Sequence, residues 1–273
     1  MFVLVAPFLD PASIDAHEFG RSGSPFWYFF YLGNVRAALA NYEGQTYLTL
    51  LWSLAIEEHF YLLFPFLVAN LNPVRLTRVL IGVWCFVLAF RLAALWAFPE
   101  NWPLVYMFTL SRMDGLALGA LLAVVWRFWG PVTKYWKIYA LVGVLLLVGQ
   151  GVMRAWGLPN GHRVFGYSLP SFVLVSFVAW SLLYRGQGIT SFLRIPALTY
   201  IGRISYGLYL FHLPLGSALP RMLRFLGLGL DRGSASLLAA RIAFCIAIAS
   251  FSFFTFEQPI LSLKKRFTTK ALR

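Results

Sequence analysis

The stretch from Thr46 to Asn70, TYLTLLWSLAIEEHFYLLFPFLVAN, has the length and apolarity of a membrane-spanning helix, yet it carries Glu57, Glu58 and His59 near its middle. A charge at the bilayer centre costs about 2.5–3.5 kcal/mol on insertion scales, so two adjacent carboxylates there need a reason. Ser53, Glu57 and Tyr61 are spaced four apart and share one helical stripe, while Glu58 points about 100° away. The stripe predicts a polar seam facing a bundle interior. A helix-packing network with no chemistry is the plainer alternative. His59 lies off the stripe and reads as a packing residue.

The rest of the chain places that helix among others. Of 273 residues, 60% are hydrophobic and 12% charged, against about 25% charged in a soluble domain. Mean hydropathy is +0.72. The expected fold is an all-α, polytopic integral membrane helix bundle. It has about seven spans, near 47–69, 79–98, 104–126, 138–155, 165–184, 197–216 and 236–258. The expected layout is one domain over 1–273: a residual helix end at 1–9, an extracytoplasmic loop at 10–45, the bundle at 46–258 and a basic tail at 259–273. Within the loop, the aromatic run Phe26–Gly33 is too short to span and reads as interfacial. Cys85 and Cys245 both sit in apolar runs and read as small packing residues. They offer no disulfide framework, and no HExxH or similar spacing points to a metal.

A net charge of +13 would point to nucleic acid in a soluble domain, but here the basic residues flank apolar runs. One set of span ends holds twelve Lys and Arg, from Arg75 and Arg78 to the tail at Lys264–Arg266; the other holds six, including Arg36 and Arg154. The turn at 98–103, FPENWP, holds none. The bias predicts a cytoplasmic C-terminus. Counting rise along the helices then puts Glu57 about 15 Å from the outer end of its span, Arg112 about 12 Å, Asp114 about 15 Å, Arg91 about 10 Å and His212 about 6 Å. Ionisable groups from four spans thus share the outer half of the membrane, where they must pair or line a wet cavity.

Three more stretches carry chemistry-bearing residues. SRMDGLALGALLA (111–123) puts Arg112 and Asp114 in a membrane helix, with Gly115 and Gly119 spaced for close helix approach. IGRISYGLYLFHLPL (201–215) carries Arg203, Ser205, Tyr206, Tyr209 and His212. FTFEQPILSLKKR (254–266) brings the last span to its end with Glu257 and Pro259. For His212, a packing role bonded to a backbone carbonyl weighs as much as a role in a site. Ser205 lacks a GxSxG elbow and is not read as a nucleophile.

WSLAIEEHFYLLFP resembles the SLxxExxFY signature of the acyltransferase-3 family of integral membrane acyltransferases, with Ser53, Leu54, Glu57, Phe60 and Tyr61 in matching places. The three other stretches resemble that family's arginine/aspartate helix, its late SY…YL.H.P helix and its terminal E.P segment. The resemblance runs from about Trp27 to Lys265 in the family's order. It implies transfer of an acyl group, often acetyl from a cytoplasmic acyl-CoA, onto a carbohydrate or lipid-linked glycan at the bacterial inner membrane. Acetyl-CoA would be a co-substrate, with no bound cofactor. Glu57, Arg112 and His212 become candidate catalytic residues. Ser53, Tyr61, Arg91, Asp114, Arg203, Ser205 and Tyr206 become candidate substrate-binding residues.

The family's first-span histidine and its RxxR motif have no counterpart here: the histidines are His17, His59, His162 and His212. The expectation is an N-terminally truncated member, inactive by itself. In the resembled family that histidine is the leading base. Glu57 is left to orient it or to accept a hydrogen bond from a sugar hydroxyl, and Arg112 to bind a phosphate or steady negative charge. Two other classes compete, a transporter or flippase using the intramembrane charges and a non-catalytic membrane scaffold. A transporter favours broken helices in repeated halves, and no repeat is visible.

Overall fold

The computed structural model describes residues 26–41, 51–130, 136–156, 161–228 and 234–268. The stub at 1–9, His17 and most of the loop at 10–45 lie outside them. Among the described residues the secondary structure is helical throughout, with no strand. Contacts divide the chain into two compact units, one within 17–190 and one within 191–273.

In the first unit the loop expected before the Glu57 helix holds two short helices, α1 (Phe26–Phe29) and α2 (Gly33–Ala40). Then come α3 (Leu51–Asn70) and α4 (Pro73–Ala97). The start of α4 is written in its sequence: the Asn72 side chain accepts the backbone N–H of Arg75, and Pro73 occupies the first turn, where a missing N–H costs nothing. Helices α5 (Trp102–Tyr106) and α6 (Asp114–Trp129) follow, separated by a 3₁₀ turn at Thr109–Ser111. The unit is completed by α7 (Trp136–Ala155), α8 (Gly161–Phe165) and α9 (Leu169–Leu183).

Helix α6 sits at the centre of this unit. One face buries Ala117 and Val124 against Leu76 and Leu80 of α4. Another buries Leu118 and Leu122 against Leu146 of α7 and Phe172, Val175 and Ala179 of α9. The outer faces stay apolar, as at Leu62, Phe66, Phe86, Leu145 and Val173, each more than half its side chain's surface or close to it uncovered. An apolar exterior around a small packed centre is what lipid, rather than water, stabilises.

A 3₁₀ segment (Gly188–Arg194) carries the chain from the first unit into the second, which holds α10 (Pro196–Arg203), α11 (Ser205–Phe225) and α12 (Ala235–Ser252). Helices α11 and α12 pack through Ile204, Phe211, Leu215, Cys245 and Ala249. Gly207 makes this approach possible: a Cβ there would stand 3.2 Å from Ala249 Cα. The chain does not stop at Glu257–Pro259. A π-helical turn (Phe253–Glu257) carries it into α13 (Gln258–Thr268), and Pro259, which has no N–H to give the continuing helix, stands just after that turn.

Helices answer to all seven expected runs, but among the described residues four stretches are long and apolar enough to cross a membrane: Leu51–Asn70, Pro73–Ala97, Arg163–Leu183 and Ala235–Leu263, with Ala140–Ala155 a shorter apolar helix. The largest departure is at 104–126, expected as one span and broken at Met107–Met113. Cys85 is exposed rather than packed, whereas Cys245 is buried.

Candidate active site

The break between α5 and α6 is held open by one side chain. Arg91 of α4 is 0% exposed. Its Nε donates to Ser111 O at 2.7 Å, Nη1 donates to Val164 O at 2.9 Å and to Ser168 Oγ at 2.7 Å, and Nη2 donates to Asp114 Oδ2 at 2.8 Å. Ser168 Oγ in turn donates to the same carboxylate oxygen. The guanidinium thus ties the 3₁₀ turn, the first residue of α6 and the α8–α9 connection together. An interrupted helix inside an apolar bundle leaves backbone carbonyls without partners, and Arg91 supplies one to Ser111. Asp114, at the first position of α6, also favours the helix's positive end. Its pair with Arg91 is the one ion pair among the described residues.

A second polar contact reaches the break from the other side. Asn34 of α2, 0% exposed, donates from Nδ2 to Thr109 Oγ1 at 2.7 Å, and His59 Nδ1 lies 2.8 Å from the same hydroxyl. His59 therefore helps lock α3 to the 3₁₀ turn, in keeping with a packing role.

With the break fixed, Arg112 emerges from it rather than from a helix, contrary to the sequence expectation. Its guanidinium carbon lies 5.5 Å from the ring centre of Trp52, 5.2 Å from that of Tyr106 and 5.2 Å from that of Tyr167. The rings brace one another: Trp52 and Tyr106 are 5.0 Å apart, as are Tyr106 and Tyr167. Cation–π contact stabilises a guanidinium by about 0.5–2 kcal/mol.

Beside this cage is a cavity of about 200 Å³, lined by Trp52, Ser53, Ile56 and Glu57 of α3, by Arg112, Asp114, Gly115 and Leu116, and by Ser171 of α9. That is room for several waters or one ring-sized group. The α3 lining comes from positions i, i+1, i+4 and i+5, one helix face. Ser53, Glu57, Arg112 and Asp114 are therefore brought together. Tyr61 is not: α3 buries only Ala55 and Ile56, and a turn further on Tyr61 is 56% exposed. Arg91 is not available to a substrate either, because four of its hydrogen bonds go to protein groups inside the clamp. Gly115 does serve close packing, since a Cβ there would meet Ser171 Oγ at 2.9 Å; Gly119 does not, with nothing within 4 Å.

The remaining candidates belong to the second unit. Arg203 ends α10, and Ser205 and Tyr206 begin α11, all three exposed. His212 is exposed and donates Nδ1–H to the Tyr209 carbonyl at 2.7 Å, which leaves Nε2 as its acceptor nitrogen. Sequence reasoning did not find Trp52, Tyr106, Tyr167, Ser168 or Ser171. Trp52 alone carried a signal, as the neighbour of Ser53 on the Glu57 face.

The chain matches the family model described as acyltransferase domain (acyltransferase-3) over residues 17–256. It is 30% identical over 176 residues to the O-acetyltransferase OatA of Staphylococcus aureus strains NCTC 8325 / PS 47, COL and MRSA252, covering 60% of this chain and 29% of each relative. The matched stretch is thus under a third of the relatives' length. No solved structure gives a significant match.

Proposed function

Because the chain belongs to the acyltransferase-3 family, whose model covers most of its length, we propose that it acts as a membrane O-acyltransferase on carbohydrate. The acceptor hydroxyl oxygen attacks the thioester carbonyl of an acyl-CoA. A C–O bond forms, the C–S bond breaks, and the hydroxyl proton ends on the departing thiol. The observation that carries the reading is the meeting of Glu57 and Arg112 on one cavity. Glu57 accepts the hydrogen bond of the acceptor hydroxyl, and Arg112 supplies the cavity's positive end. The relatives' name, O-acetyltransferase, favours acetyl as the group moved and acetyl-CoA as the donor. The staphylococcal relatives favour a bacterial cytoplasmic membrane setting, and the Lys/Arg bias favours a C-terminus inside.

In the resembled family the leading base is a first-span histidine, and the test supplies the segment that carries it. The test joins the N-terminal segment of the staphylococcal O-acetyltransferase to residues 17–273 and places the hybrid in proteoliposomes with labelled acetyl-CoA and a cell-envelope saccharide. Labelled ester from the hybrid is the expected result. A hybrid that inserts but forms no ester contradicts the reading. The broken helix at 107–113 also suits a transporter; movement of unmodified saccharide across the membrane, without ester, would favour that class instead.

A further inference from the structure

Positive charge is left over around Tyr167. Arg91 is neutralised by Asp114. Arg112 and Arg163 both act electrostatically on the Tyr167 hydroxyl, and among the described residues neither has a carboxylate within ion-pair distance. The Nε of Arg163 is buried and makes no hydrogen bond among those residues. Arg112 lies over three aromatic rings, and among the described residues its side chain makes no hydrogen bond or ion pair, so its N–H groups remain for a partner. It also lines the cavity, as does Glu57, with which it makes no ion pair. A cation held by rings, with unspent donors and an empty space beside it, matches the geometry of a carboxylate or phosphate.

We infer that the cavity binds its substrate through an anionic group, a carboxylate or phosphate seated on Arg112, with a hydroxyl of the same or a neighbouring molecule on Glu57. This deepens the acyltransferase reading and rests on it for what happens to the hydroxyl. The anion belongs either to an acidic sugar on the acceptor side or to the phosphates of the acyl-CoA. A group that only steadied charge in the transition state would leave ground-state binding indifferent to substrate charge. Arg112 instead discriminates before any transfer.

The experiment measures binding, which needs no turnover. The full chain in nanodiscs is titrated with D-glucuronate, D-glucose and coenzyme A by ligand-observed NMR, as wild type, R112K and R112Q. Glucuronate should bind at least about tenfold more tightly than glucose, R112K should keep part of that preference, and R112Q should lose it. Arg112-dependent binding of coenzyme A in place of glucuronate supports the inference and assigns the anion to the donor. If R112Q fails to fold, rising salt serves in the wild type, weakening the charged probe and not glucose. Equal binding of charged and neutral probes, no binding of either charged probe, or a preference that survives in R112Q overturns it. Charge-blind binding with intact transfer in the hybrid defeats this inference alone, and charge-selective binding without transfer defeats the acyltransferase reading alone.

Discussion

Arg91 and Asp114 meet at 2.8 Å inside the first unit, the arginine wholly buried and the aspartate 2% exposed. They are twenty-three positions apart in sequence, and their pairing fixes the break from which Arg112 projects. Removing one partner of a buried pair leaves the other charge uncompensated, at a cost of about 3–5 kcal/mol. Asp114→Ala should therefore fall well below wild type in unfolding midpoint in detergent. Ser168→Ala, which removes one hydrogen bond at each of two charged partners, should lose only about 1–3 kcal/mol. Equal losses for the two variants would contradict the clamp.

The glycines separate packing from coincidence. Gly207→Ala drives a methyl to 3.2 Å from Ala249 Cα, which is backbone and cannot turn aside, and should cost about 1–3 kcal/mol. Gly115→Ala meets the Ser171 hydroxyl, which can rotate, and should cost less while pushing that hydroxyl from its place on the cavity wall. Gly119→Ala meets nothing and should stabilise α6 by up to about 1 kcal/mol. Thermal unfolding of the three variants in one detergent gives the order directly; destabilisation by Gly119→Ala would contradict the helix contacts described above.

Thr109 serves two partners at once, Asn34 and His59. Thr109→Val takes this partner from both, leaving Asn34 Nδ2 only its 3.3 Å bond to the Met107 carbonyl, and should cost about 1–3 kcal/mol, whereas Thr109→Ser keeps the hydroxyl and should remain near wild type. Identical unfolding of the two variants would show that the hydroxyl is idle.

The helices were legible because a bilayer demands runs of about 20 apolar residues, and those runs are present. The break at 107–113 was not. MFTLSRM contains neither proline nor glycine, and its interruption depends on Arg91, Val164 and Ser168, which stand far from it in sequence. Depth along a helix put Arg91 and Arg112 at similar heights but did not say which way either points. One is closed into a clamp and the other faces the cavity. Tyr61 shows the converse: a perfect four-residue spacing places a residue on a stripe, yet Tyr61 is 56% exposed although Phe64, three residues on, packs on the cluster of Leu76 and Leu80. The aromatic cage was invisible for the same reason, since Trp52, Tyr106 and Tyr167 come from three separate elements.

Arg112 depends on that cage for placement more than for stability. Tyr106→Leu and Tyr167→Leu keep apolar volume and remove ring faces, so each should cost about 0.5–2 kcal/mol or less in stability. Both should lower transfer by the hybrid more than they lower its unfolding midpoint. A fall in activity that merely tracks the unfolded fraction would contradict a placing role for the rings.

Glu57 is the most direct handle on the site. In the hybrid, Glu57→Gln keeps the shape of the side chain and removes its charge and its acceptor strength. Initial rates of labelled acetyl transfer, read beside membrane insertion and unfolding midpoint, should fall by at least about 100-fold with insertion and midpoint unchanged. Normal turnover in Glu57→Gln, or loss of insertion before any loss of turnover, would contradict the assignment of this cavity to acyl transfer.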